Sequence, residues 1–490
     1  MFLIFTPIFY ANRKPHIGHN YTLYISTYIN KFHKCLGSSS YIISGTDEHG
    51  DKIYKDFQEN HKDIKNFADF ISHKRNIFLE NLFKKFQITS IFGTHSLSHI
   101  SFVNKITKQL IQSKYIYTGE YSGIYYKNTC EYINQLEYEK LDQSDKEKTY
   151  TLKEQGYYLK FSADNKEKIK QNLLVTEKYK EFAHQIIDNG KDLFITRIST
   201  DENKIHSCPF IQENKIDYVF YVWYDAILYY INILILYNRS VTQSIIVIGK
   251  DILSFHCLLL QNLCLIMFGY MPFQIVVHGI ITTNELKVSK SKHNEEETNE
   301  ILSQYGELVY SYLLSKPFHE DTELKEDGIV SYKNYIENNV RNAYKRVFGL
   351  LPKYESFYNK HHYSLLNENL IGSGLYGACE KVLFELNEMF SKPENGIIYK
   401  KLVHIASLLN ENIDKNKLWD AQESKIYEFT ECLNTCKLML LMEYILCVPG
   451  VEEIFKTLEE PIFGELAKLP KFNNKIINKK IDINIFNLQI

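Results

Sequence analysis

Phe2-Leu3-Ile4-Phe5-Thr6-Pro7-Ile8-Phe9-Tyr10, followed after a short polar gap by Pro15-His16-Ile17-Gly18-His19, decides how this chain folds. The apolar run Phe2 to Tyr10 reads as a strand. The second group opens a helix-patterned stretch, His16 to Lys34, with Pro15 expected in its first turn and apolar positions near Tyr21, Tyr24, Ile25, Tyr28, Ile29 and Phe32. Tyr41 to Ser44 reads as the next strand and completes a βαβ unit. Parallel sheets bind ligands beyond the carboxyl ends of their strands, where His16 and Asp47 are expected to meet. Strand, loop and helix N-terminus form an anion site, because the first N–H groups of a helix lack partners. His16 and His19 are three apart and share a helical face from which both can donate to a phosphate. Gly18 between them lets a flat ring approach the backbone.

Further along, Lys287-Val288-Ser289-Lys290-Ser291 sets two ammonium groups and two hydroxyls in a polar stretch. Such a loop can close on a pyrophosphate leaving group and stabilise the charge that develops there. From about Gln112 to Cys208 the texture changes to short strand-like pieces, with a charged run from Asp142 to Lys148, which reads as an insertion. Ser244 to Ile248 as a strand, Ile252 to Phe268 as a helix and Phe273 to Ile281 then resume the α/β pattern. After about Ser331 helical periods dominate, with breaks expected at 349 to 352, 372 to 377 and 449 to 450 where Gly and Pro fall. The expected organisation is a Rossmann-like α/β domain with a parallel sheet in two halves, 1–111 and 209–283. The inserted connective domain spans 112–208, a loop-bearing region 284–330 and an all-α helical bundle 331–490.

A length of 490 residues suits about three domains, each able to bury a core. Hydrophobic content of 44%, charged content of 24% and a net charge of -2 exclude a disordered chain and give no global basic signature, so any RNA contact must be a local patch. Nine scattered Cys with no C-x-x-C pair read as reduced thiols of a cytoplasmic protein. The first residues enter a core strand without a basic leader, so no targeting is expected. The apolar runs Trp223 to Tyr237 and Cys257 to Met271 carry Asp225, Asn232, Gln261 and Asn262, and read as buried helices too short or too polar to span a bilayer.

His16-Ile17-Gly18-His19 and Lys287-Val288-Ser289-Lys290-Ser291 resemble the HIGH and KMSKS signatures of class I aminoacyl-tRNA synthetases. The segments between them narrow the resemblance to the methionyl-tRNA synthetase family. Phe5 to Asn12, Gly45-Thr46-Asp47-Glu48-His49-Gly50, Tyr221-Val222-Trp223-Tyr224-Asp225-Ala226 and Ile248-Gly249-Lys250-Asp251-Ile252 follow in that family's order. The resemblance implies an ATP-dependent ligase that forms methionyl-adenylate and charges tRNA(Met), with Mg2+ accompanying ATP. His16, His19, Lys287 and Lys290 are then the catalytic groups. ATP would be held by these four with Gly18, Gly249, Asp251 and Ser289. Asp47 would take the substrate ammonium, and Ile8, Tyr10, Trp223, Ala226, Tyr230, Ile252, Phe255 and His256 would wall the side chain. A soft, unbranched thioether suits an aromatic pocket with a polar probe. Asn342 and Arg346 look like the family's base-reading pair and Trp419 like its anticodon-stacking residue, with six Lys or Arg against two Glu from Ser331 to Lys360. Arg197 stands where the family often has an arginine that meets the signature loop.

Some positions depart from the family. Val288 replaces the usual Met of the loop, Lys292-His293-Asn294 replaces Leu-Gly-Asn, and Leu418 replaces a Pro. Between Gln112 and Cys208 only Cys130 and Cys208 remain, too few for a tetrahedral knuckle, so no structural zinc is expected. The expected partners are L-methionine, ATP and tRNA(Met), with no membrane, for a chain that acts as a monomer. Two other readings stay open: a synthetase for another apolar amino acid, disfavoured by the small insertion, and a catalytically inactive paralogue acting as a tRNA-binding protein.

Overall fold

The computed structural model of the chain describes residues 2–11, 15–61, 63–86, 88–126, 131–133, 138–139, 141–212, 215–237, 243–283, 286–287, 295–361, 374–388 and 397–460. Contacts divide the chain into two compact units, Met1–His19 with Tyr41–Val277 and Asn20–Ser40 with His278–Ile490.

The first unit is built on a six-stranded sheet. Its strand order is Phe273–His278, Gln243–Gly249, Phe2–Phe5, Ser40–Asp47 and Phe9–Tyr10, with Ser90–Gly93 also paired to Ser40–Asp47. Phe2–Phe5 runs parallel to Gln243–Gly249, and both Phe9–Tyr10 and Ser90–Gly93 run parallel to Ser40–Asp47. Strands covered on both faces carry unbroken apolar runs. Accordingly Leu3, Ile4, Phe5, Ile43, Ile246, Ile248, Ile275 and Val277 are all fully buried. The α/β parallel-sheet class expected from the sequence is the one observed.

The stretch read as one strand from Phe2 to Tyr10 is two. Pro7 has no N–H for a ladder. The Thr6 N–H bonds the Ile43 carbonyl at 3.1 Å, and after the interruption Phe9 and Tyr10 resume in register with Thr46 and Asp47. The helix runs Ile17–Cys35, so Pro15 precedes it rather than occupying its first turn.

The inserted segment is less fragmented than its sequence suggests. A four-stranded sheet, ordered Glu131–Ile133, Ile116–Tyr126, Thr149–Leu159, Leu193–Phe194, centres on an antiparallel pair of 11-residue strands. Glycines lower the apparent strand propensity, yet they are there for close approach. A Cβ on Gly156 would stand 2.6 Å from the Phe194 ring.

Lys250–Phe268 is continuously helical, 19 residues with a mean hydropathy of 1.7. Its length alone would cross a bilayer, which corrects the expectation that this run is too short. Leu253, Cys257, Leu259, Leu260, Leu263 and Cys264 place it in the hydrophobic core of the first unit. A π-helical turn at His256–Leu260 lies within it.

In the second unit a three-stranded sheet is ordered Leu286–Lys287, Ile281–Thr283, Thr322–Glu323, with the helices Glu295–Tyr305 and Leu308–Leu314 between its strands in sequence. Beyond Ser331 every described element is helical. The break expected at 349 to 352 does not occur, since Asn342–His361 runs through Pro352. Val347, Phe348, Leu351 and Tyr354 are buried on either side of it, and that packing overrides the local cost of the proline. The helix Ile426–Ile445 forms the centre, where Glu443 pairs with Arg341 at 2.9 Å and accepts from Tyr344 Oη at 2.6 Å.

Candidate active site

His16 and His19 close the N-terminus of the helix Ile17–Cys35 in a reciprocal way. His16 Nδ1 accepts from the Gly18 N–H at 3.0 Å, and His19 Nδ1 accepts from the His16 N–H at 3.1 Å. This has the logic of a capping box, with imidazoles in place of hydroxyl and carboxylate. Because each Nδ1 accepts, the proton of each neutral ring sits on Nε2. The rings lie 3.9 Å apart, and His19 packs edge-on against Phe9, so the pair stands at the carboxyl end of the Phe9–Tyr10 strand.

At that same end of the sheet Tyr10 is the register partner of Asp47, whose carbonyl accepts from the Ala11 N–H at 2.9 Å. Asp47 is 9% exposed. Burial, and next the charge of Asp225, push its carboxyl well above the usual carboxylate range, while His49 pulls it back. Thr94 Oγ1 lies 3.4 Å from Asp47 Oδ1. Gly50 has a φ of +117° and its missing Cβ would meet Tyr10 Oη at 2.6 Å, so only glycine lets the tyrosine lie there.

The remaining wall residues come from two helices. Trp223, Ala226 and Tyr230 follow one another at helical spacing on Val222–Tyr237. Ile252, Phe255 and His256 come from Lys250–Phe268. Trp223 stacks on Phe255 at 3.9 Å with the rings 8° from parallel. His256 Nδ1 donates to the Ile252 carbonyl at 2.9 Å, which leaves Nε2 as the acceptor for Tyr230 Oη at 3.2 Å. Burial pulls the His256 imidazole down to about 4, so this hydrogen bond keeps one polarity at neutral pH. Tyr230 also bonds the Ile8 backbone and feels the Asp47 charge. Asp47, Ala226, Tyr230 and His256 are buried, whereas Ile8, Tyr10, Trp223, Ile252 and Phe255 are half-buried. Gly249 ends its parallel strand at the corresponding carboxyl end, with Asp251 exposed two residues beyond.

A second layer of charged side chains, assigned no role by the sequence motifs, stands behind Asp47. Glu48 is clamped by Arg75, Nε to Oε1 and Nη2 to Oε2, both at 2.7 Å, and accepts from Thr46 Oγ1 at 2.6 Å. Asp225, fully buried on a largely apolar helix, meets His49 Nδ1 at 2.5 Å and His99 Nε2 at 2.8 Å. Burial alone would raise the Asp225 carboxyl, but His49 and His99 bring it down to about 2. An Asp at a core position of an apolar helix was the available signal, since a buried charge demands a partner.

Of the signature loop, the Lys287 backbone pairs with Thr282 in a short antiparallel ladder. Ser289 and Lys290 lie outside the described residues. Arg197 pairs with Glu154 at 3.9 Å and lies over the Tyr221 ring at 4.8 Å. No group of three or more His, Cys, Asp or Glu able to hold a metal is found among the described residues, and Cys130 lies outside them.

In the second unit Arg346 Nη1 donates to Asn410 Oδ1 at 2.8 Å and Nη2 pairs with Asp414, which joins the helices Asn342–His361 and Ile397–Lys415. Arg346 is thus anchored rather than merely solvated. Trp419 is 48% exposed, Asn342 is exposed, and buried Leu418 is held by Tyr354 Oη, which donates to its carbonyl at 2.9 Å.

Comparison with known proteins agrees with this geometry. The family model described as tRNA synthetases class I (M) matches residues 2–141 and 135–348. The methionine–tRNA ligase of Campylobacter jejuni is 30% identical over 370 residues, covering 72% of this chain and 58% of that protein. The methionine–tRNA ligase of Ureaplasma parvum is 28% identical over 386 residues, covering 72% of this chain and 71% of the relative. The matched part thus spans little more than half of several of these relatives, 56% for Helicobacter pylori strain J99. The solved structure of Mycobacterium tuberculosis methionyl-tRNA synthetase in complex with methionyl-adenylate superposes with a TM-score of 0.76 over 94% of each chain at 18% identity, a likeness of fold. A parallel sheet ending in paired histidines and a buried aspartate, together with a family match over most of the chain, means that this protein belongs to the class I tRNA synthetases of the M family.

Proposed function

We propose that the chain is a methionine–tRNA ligase, which activates L-methionine with ATP to methionyl-adenylate and transfers the methionyl group to tRNA(Met). The observation that carries this reading is the buried floor, where Asp47, a carboxylate with only neutral donors among the described residues, adjoins an aromatic slot ending in the Tyr230–His256 pair. A carboxylate in that setting takes an ammonium. The slot takes an unbranched apolar side chain, and the Tyr230 hydroxyl meets its sulfur.

The substrate carboxylate attacks the α-phosphorus of ATP and pyrophosphate leaves, with no covalent enzyme intermediate. Catalysis then consists of positioning and charge stabilisation. His16 and His19 donate from Nε2 to the phosphates, Gly18 and Gly249 admit the adenosine, and Asp251 meets the nucleoside. Lys287, Ser289 and Lys290 are assigned to the β- and γ-phosphates by their match to the family motif, with Mg2+ entering as part of the ATP substrate. Segment 112–208 is the connective insertion, and 331–490 is the anticodon domain, with Asn342, Arg346 and Trp419 reading the bases. We assign the protein to the cytoplasm as a monomer without structural zinc.

Amino-acid-dependent exchange of pyrophosphate into ATP, run across the common amino acids, tests the proposal. Strong exchange with methionine alone is expected. No exchange with any amino acid would favour an inactive tRNA-binding paralogue, and preference for another apolar amino acid would overturn the substrate assignment.

A further inference from the structure

Two buried carboxylates, Asp47 and Asp225, adjoin one histidine. His49 Nδ1 lies 2.5 Å from Asp225 Oδ2, and its backbone N–H donates to the Asp47 carboxylate. The other ring nitrogen, Nε2, lies 3.2 Å from His95 Nδ1. Both ring nitrogens of His49 therefore face atoms able to accept a proton, the arrangement an imidazolium requires. Charge accounting in the cluster points the same way. Glu48 is neutralised by the Arg75 fork, and Asp47 meets only neutral donors among the described residues. Asp225 is fully buried, and an unpaired carboxylate there would disfavour ionisation of Asp47.

We propose that His49 is a positioning residue for amino-acid recognition: held as an imidazolium against Asp225, it offsets that charge and so favours ionisation of Asp47 when the substrate ammonium arrives. The assignment rests on the reading of Asp47 as the ammonium partner. With substrate bound, the floor holds two neutral pairs, Asp225 with His49 and Asp47 with the ammonium. The other titratable groups facing the cluster fit this distribution. Burial, then the His49 charge, lower the His95 imidazole, which suits its role as acceptor. His206 is lowered by burial, Cys208 is raised by burial and by Asp225, and Tyr230 is raised by burial and by Asp47, so all three stay neutral. Burial opposes a charge on His49, but Asp225, then Asp47 and Glu48, lift its imidazole above the ordinary value. His99 Nε2, 2.8 Å from the other oxygen of Asp225, is the competing partner.

The test compares the full-length wild type with His49→Gln, Asp225→Asn and the double variant, by methionine-dependent pyrophosphate exchange across pH and by ¹⁵N NMR of the histidine rings. His49→Gln is expected to raise KM for methionine about tenfold near pH 7, with kcat changed less than about threefold, and to move the acid limb of kcat/KM to higher pH. Adding Asp225→Asn removes the stranded charge and should bring KM and the acid limb back towards wild type. That rescue is one a purely structural role would not give. In the wild type, the ring resonance lost in His49→Gln should be that of an imidazolium at pH 7. A neutral His49 ring at pH 7, an unshifted acid limb in His49→Gln, or a double variant no better than the single would each overturn the assignment. Wild-type protein inactive with every amino acid would sink the functional reading instead, and the NMR experiment would still decide the charge of His49.

Discussion

His16 and His19 each accept at Nδ1 from a backbone N–H at the start of their helix, and on the proposed reading Nε2 meets the phosphates, so substitutions can separate the two tasks. Asn offers an acceptor near Nδ1, and Gln reaches the position of Nε2. His19→Asn should keep the bond to the His16 N–H, hold thermal stability near wild type, and lower the exchange rate by about 10²-fold or more, as loss of a preorganised donor does. His19→Gln should retain more activity but lose about 1 kcal/mol of stability with the cap. Urea titration alongside exchange kinetics checks both, and equal behaviour of the two variants would contradict the division of labour. At this scale the sequence identified both histidines and their shared face. It did not identify the tautomer, because which nitrogen faces the backbone depends on where the chain turns before Ile17. Asp47, expected just beyond a strand, is the last residue of Ser40–Asp47, whereas the contacts of His49 and His99 with Asp225, and of His95 with His49, became visible only in the fold.

Among the elements, Ser40–Asp47 lies where three strands converge, and its packing leaves no room at Gly45. A Cβ there would stand 2.2 Å from the Phe92 carbonyl oxygen and 3.2 Å from Ile8 Cγ2. Backbone cannot step aside as a side chain can, so Gly45→Ala should cost about 1–3 kcal/mol in denaturant unfolding and raise KM for methionine by displacing Ile8. Unchanged stability would mean that the Ser90–Gly93 strand shifts freely. In the second unit the helix pair carrying Arg346 and Asp414 presents Trp419 at its end, half exposed. An indole in that state has little packing to lose but about 1–3 kcal/mol of base stacking to give. Trp419→Ala should therefore leave pyrophosphate exchange and thermal stability intact while lowering tRNA charging by about one to two orders of magnitude. Normal charging, or a joint loss of exchange and stability, would contradict a stacking role for Trp419. Element types were readable from periodicity, but the break at Pro7 and the continuity through Pro352 were not, since both depend on what packs against the proline.

For the whole molecule, buried neutral histidines set the response to acid. His33 and His256, one in each unit, are held near 4 by burial, whereas the unfolded chain titrates imidazole near 6.5. Between those values the unfolded state binds more protons, so the stability due to these residues is complete above about pH 6.5 and lost as pH falls towards 4, at about 1.4 kcal/mol per pH unit for each. His49 has the opposite sign: its raised imidazole contributes stability that is complete at low pH and lost as pH rises through its folded value. Urea midpoints at pH 5 and 7 should show a marked acid loss, which His33→Asn with His256→Gln should flatten. A slope unchanged in that double variant would assign the acid sensitivity elsewhere. The α/β class and the shared face of the histidine pair were legible in the chain itself, because strand and helix periods and short motifs are local properties, whereas the wall residues were named only from the family resemblance. That Asp225, His49, His95 and His99 form one hydrogen-bonded cluster behind Asp47, and that Arg346 is anchored to Asn410 and Asp414, emerged only from the folded chain. Compensation of a buried charge depends on which distant residues share its low-dielectric surroundings, and local sequence carries no record of that.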